Sequence, residues 1–142
     1  MEVRKFDDLG YSLTTIKTDK FKTNLISVSF QSEINRETVT KRSLLPYVLR
    51  SATEKYPSKK EINTYLESLY GASLSTTVEK RGQTHNIKFY LSLANEKFLG
   101  NREPLLEEGV ELLKDVILKP LVIDGGFKEQ VVEIEKRLLK EY

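Results

Sequence analysis

The chain has 142 residues, of which 39% are hydrophobic and 31% charged, with a formal net charge of +2. That is ordinary material for one compact domain with a core, and its dispersed charge argues against nucleic acid or a membrane surface as partner. The chain has no cysteine and one histidine, which excludes disulfides and cysteine zinc sites and leaves His85 as the only histidine for metal or triad chemistry.

No apolar run approaches the ~18 residues needed to span a bilayer. The first residues, MEVRKFDDLGYS, lack the apolar centre of a signal peptide. With no cysteine, the composition fits a reducing compartment, so the expected location is cytoplasmic.

Residues 10–18, rich in Thr, Ile and Tyr, read as a strand. Asp19-Lys20 marks a turn. Residues 22–33 alternate, with Ile26, Val28 and Phe30 on one face and Ser27 and Ser29 on the other, as in a half-buried strand. A helix follows at about 36–53, with Leu44, Leu45, Val48, Leu49 and Ala52 at helical spacing. Pro46 interrupts it, because an interior proline removes a backbone bond and clashes with the preceding turn. Either the helix begins near Ser43 to Leu45 or it is kinked at Pro46.

Ser58 and Glu61 form an S-x-x-E capping box. Ile62, Tyr65, Leu66, Leu69 and Tyr70 then repeat at i, i+3, i+4, i+7, i+8, and Gly71 suits a left-handed stop. Residues 72–80 and 84–94 read as antiparallel strands around a turn at Lys80-Arg81-Gly82-Gln83. In the second, His85, Ile87, Phe89, Leu91 and Leu93 share one face, and Lys88, Tyr90 and Ser92 the other. After the loop Asn95 to Arg102, Pro104 opens a third helix that is expected to bury Leu106, Val110, Leu113, Val116 and Ile117 and to end at Lys119-Pro120. Asp124-Gly125-Gly126 reads as a loop, and a fourth helix from Phe127 reaches the last residue without a stop signal. The expected architecture is a two-layer α+β sandwich, β-β-α-α-β-β-α-α, with an antiparallel sheet. Residues 1–142 are expected to form a single domain, the N-terminal part of a longer two-domain or multi-domain chain.

Element order and local patterns resemble the insulinase, pitrilysin and mitochondrial-processing-peptidase family, the inverzincins, and imply a half-domain of the processing-peptidase type. In that family a β-β pair leads into a helix bearing H-x-x-E-H, whose histidines bind zinc while the glutamate activates water. In this register Pro46-Tyr47-Val48-Leu49-Arg50 stands at the motif: Pro46 falls on the first histidine, Leu49 on the glutamate and Arg50 on the second histidine. The stretch from Tyr56-Pro57-Ser58 through Glu61-Ile62 and Leu66 to Gly71-Ala72 resembles the family's following segment, and Lys119-Pro120 with Phe127 its later Asn-Pro and Phe. Within Glu133-Ile134-Glu135-Lys136, Glu135 matches an acidic position of the family. Tyr142 falls on the third ligand, with Glu141 one residue off. The likeness covers nearly the whole chain and is strongest to the bacterial subfamily whose genes occur as pairs, one partner keeping the motif and the other losing it.

Proline has no side-chain donor, leucine cannot move a proton, and a guanidinium repels zinc. The resemblance therefore implies a non-catalytic relative with no metal and no cofactor. Its partners would be a peptide and a catalytic paralogue bearing H-x-x-E-H, in a heterodimer, with neither nucleic acid nor membrane. Residues for a peptide cleft or a relic site are Arg50, Glu135, Glu141 and Tyr142. Plainer readings stand beside these. Leu49 is a core leucine, Arg50 a solvated or salt-bridged helix residue, His85 a structural histidine, and Glu135, on an apolar face between Val131 and Leu138/Leu139, one member of a structural ion pair. Lys59-Lys60 and Lys80-Arg81 read as surface charges. Two other functions remain open: a self-standing α+β protein-interaction module, and a zinc-dependent metallopeptidase with a displaced site built from Glu135, Glu141 and His85.

Overall fold

In this computed structural model, residues 1–100 and 103–141 are described. The strands are β1 (Glu2–Asp8), β2 (Tyr11–Lys17), β3 (Thr23–Glu33), β4 (Ser73–Arg81), β5 (Thr84–Ala94), β6 (Val122–Ile123) and β7 (Gly126–Phe127). The helices are α1 (Val39–Leu49), α2 (Lys59–Ser68), α3 (Leu105–Leu118) and α4 (Glu129–Lys140). The fold is an α+β sandwich. Its main sheet has the order β3-β5-β4, antiparallel throughout, and its core gathers residues of α1, α2 and α3 against β5.

β5 is the centre of this sheet, which explains its clean alternation. Ile87, Phe89, Leu91 and Leu93 are all buried, while Lys88, Tyr90 and Ser92 on the other face are only half-buried. α3 lies against that inner face. Its contact runs along Leu105, Gly109, Leu112, Leu113 and Val116, so Leu113 and Val116 are buried as expected, while the first half of the face is displaced by one position. Leu106 and Val110 are exposed rather than buried. Gly109 is the reason: a Cβ built there would stand 2.4 Å from Leu93 Cδ1. Only a residue without a side chain lets the helix backbone come so close.

β2 lies within the strand expected over residues 10–18, and β1 precedes it as an additional strand. β2 pairs with β1, from Glu2↔Lys17 to Asp8↔Tyr11, and not with β3. The turn between them uses Gly10 at φ 89. Neither strand of this hairpin buries a residue, so Glu2–Asp8 shows no two-residue period by which a sequence would reveal it. A further small hairpin, β6–β7, occupies the stretch expected to be loop, and Phe127 belongs to β7 while α4 begins at Glu129.

α1 begins at Val39, so Pro46 is interior and the later start near Ser43 to Leu45 does not occur. Proline offers no N–H to the carbonyl of Arg42, yet the helix continues, with Arg42 N–H on Thr38 O and Arg50 N–H on Pro46 O. Burial of Pro46, Val48 and Leu49 against the rest of the domain offsets the lost bond. α2 has the expected cap: Ser58 Oγ accepts from Glu61 N–H at 3.3 Å and donates to Glu61 Oε2 at 3.0 Å. It ends through two left-handed residues, Tyr70 at φ 55 and Gly71 at φ 73. The segment after α1 is tied to the segment after α3 by a bridge between Thr53 and Pro120 and by Glu54 N–H on Lys119 O. These ties hold the C-terminal end of α1 in place beside α4.

Candidate functional site

The site is built at the end of α1, where α4 and the start of α2 meet it. Leu49 faces the core at 9% exposure, as the apolar periodicity requires. Arg50 caps the helix, its N–H reaching Pro46 O and Val48 O. Its guanidinium lies over the Tyr47 ring at 5.4 Å from the centroid, a cation–π contact. Among the described residues no carboxylate comes within ion-pair range of Arg50.

Glu135 is 3% exposed, and a carboxylate so buried needs compensation. It finds two partners, both on Oε1. Lys59 Nζ is 2.5 Å away, and Ser51 Oγ donates at 3.0 Å. Ser51 Oγ also stands 2.6 Å from Tyr47 O, so its single proton is shared between two acceptors. The structural ion pair expected for Glu135 is thus present. Its cation is Lys59, which reads in sequence as a plain surface charge. The apolar face around Glu135 signals that a cation must come, but no local spacing says from which helix.

Tyr47, Arg50, Glu135, Leu138 and Leu139 line a cavity of about 40 Å³. Arg50 and Glu135 are therefore brought together, as residues of one small pocket. Glu141 is exposed just beyond α4, and Tyr142 lies outside the described residues. Pro46 is buried in α1 and offers no side-chain donor.

His85 lies elsewhere, at the start of β5. It is 3% exposed, with Nε2 3.5 Å from Ser43 Oγ and Nδ1 without a partner among the described residues. Burial, and then the neighbouring Arg42 cation, hold its pKa below the ordinary 6.5. Arg42 itself has Nε and Nη2 buried without an acceptor among the described residues. Among the described residues no three His, Asp or Glu side chains gather as a metal-holding group, so Glu135, Glu141 and His85 do not converge. No helix of the described chain is long and apolar enough to cross a membrane.

No family profile matches the chain. The chain is 39% identical over 132 residues to the probable inactive metalloprotease YmfF of Bacillus subtilis (strain 168), covering 93% of this chain and 31% of that protein. It also superposes, with a TM-score of 0.87 and 34% identity, on the crystal structure of a conserved protein from Enterococcus faecalis V583, over 92% of this chain and 31% of that one. The chain spans about a third of the length of both relatives.

Proposed function

We propose that this protein is a non-catalytic member of the insulinase, pitrilysin and processing-peptidase kind, which binds or encloses peptides together with a catalytic partner bearing H-x-x-E-H. The observation that carries the reading is the end of α1. Where the resemblance puts two zinc ligands and a general base, the chain has a buried proline, a core leucine and a guanidinium stacked on Tyr47. None of these can ligate zinc or take a proton from water. The name of the Bacillus relative, a probable inactive metalloprotease, supports the same direction.

Peptides would be gripped by backbone pairing along an outer strand of the main sheet, β3 or β4, each of which has one edge without a paired strand among the described residues. A cytoplasmic location belongs to the same proposal and rests on the cysteine-free composition. The test is metal analysis of the full-length protein, with peptide cleavage assayed alone and after mixing with a motif-bearing paralogue. No stoichiometric zinc, no cleavage alone and co-purification with the paralogue are expected. Tightly bound zinc with chelator-sensitive cleavage by the protein alone would overturn the proposal.

A further inference from the structure

The small pocket at the end of α1 has a charge pattern that no residue of the described chain completes. Arg50 enters it as a cation without a carboxylate partner, while Glu135 has Oε1 occupied by Lys59 and Ser51 and has no donor on Oε2 among the described residues. The lining residues Arg50 and Glu135 are of opposite charge, but Glu135 is already paired with Lys59 from outside the pocket, so Arg50 is the lining charge left for an anion to meet. A free acceptor oxygen beside the cation favours a ligand that also carries a donor. The volume, about 40 Å³, holds roughly three water-sized groups on the basis of 10–15 Å³ each. That suits the three heavy atoms of a carboxylate, with an adjoining N–H at the mouth of the pocket, and is too small for an aromatic side chain. Leu138 and Leu139 supply an apolar wall.

The geometry points to a subsite for the C-terminal end of a peptide. The Arg50 guanidinium grips the α-carboxylate through paired N–H donors, and Glu135 Oε2 accepts the amide N–H of the last residue. Tyr47 holds the guanidinium from behind by the cation–π contact. Sulfate offers no donor to Glu135, and a side-chain carboxylate has no amide at fixed distance from it. This inference rests on the peptide-binding reading above and adds to it a preference for chain ends.

The experiment uses the purified full-length protein and two randomised pools of short synthetic peptides, identical except for a free carboxylate or a carboxamide at the last residue. Binding of the free-acid pool at least about tenfold tighter is expected, which corresponds to about 1.4 kcal/mol. Arg50→Ala should bring the two pools to parity, and Arg50→Lys should keep part of the preference, because an ammonium retains the charge but not the fork. Equal binding of both pools by the unaltered protein overturns the subsite and leaves peptide binding standing. Binding of neither pool overturns both. A carboxamide pool ending in Glu that binds as tightly as the free-acid pool assigns the pocket to side-chain carboxylates and overturns the α-carboxylate. The comparison of pools on the unaltered protein decides the matter even if an Arg50 variant fails to fold.

Discussion

Two buried polar centres touch α1, and the chain treats them differently. At the C-terminal end, Glu135 is answered by Lys59, a residue of another helix, and by Ser51. Nearer the N-terminal end, Arg42 and His85 lie together beneath the helix, with two guanidinium nitrogens and one imidazole nitrogen unanswered among the described residues. A charge with a partner on another element fixes how elements pack. A charge without one only lowers stability, because its lost hydration is not replaced. The first centre therefore locks α4 to α1 and α2, and the second is a weak point under the same helix.

Three measurements would break or sharpen this contrast. The largest effect is expected from Lys59→Met, which leaves the Glu135 carboxylate buried with only a shared hydroxyl. Breaking a fully buried pair costs about 3–5 kcal/mol. Lys59 is 44% exposed along its side chain, so solvent screening reduces the expected loss to about 2 kcal/mol. Urea denaturation would read it, and an unchanged midpoint would show that Ser51 alone suffices. A smaller effect of opposite sign is expected from Arg42→Met, which keeps the stem and removes the unanswered nitrogens. A gain of about 1 kcal/mol fits the general result for unpaired buried charge, whereas a loss would mean that Arg42 is satisfied in solution.

The smallest effect is a pH dependence. His85 holds its pKa below the ordinary 6.5 in the folded state, so the unfolded chain takes up this proton first. Its contribution is fully present above 6.5 and is lost as pH falls through that value towards the folded pKa, with a slope of less than one proton. His85→Gln should flatten the stability profile in that window, and an unchanged profile would sink the assignment.

The same contrast explains what the sequence could and could not show. β5 is legible because both of its neighbours are strands and its inner face is entirely core, so burial follows a two-residue period. The first half of the α3 face reads one position off because Gly109 carries no hydrophobic signal, yet its backbone comes close to the sheet at Leu93. β1 escapes notice because neither of its faces is buried. Arg50 and Glu135 can both be named from the sequence, and they meet at one pocket. Lys59 cannot be picked out, since its role exists only once the start of α2 is brought to Glu135 on α4.

The order of the main sheet has a consequence for the time course of folding. β4 and β5 are joined by a tight turn and can zip locally, on the microsecond scale of hairpins. β3, in contrast, precedes α1 and α2 and among the described residues pairs only with β5, from Thr23 with Ala94 to Glu33 with Thr84. During synthesis it leaves the ribosome about fifty to seventy residues before its partner. At ordinary elongation rates of about 5–20 residues per second, that is a wait of several seconds. Through that interval β3 is an unpaired strand carrying Leu25, Ile26, Val28 and Phe30, so early aggregation or chaperone capture of the nascent chain should centre on residues 23–33 rather than on the later hairpin.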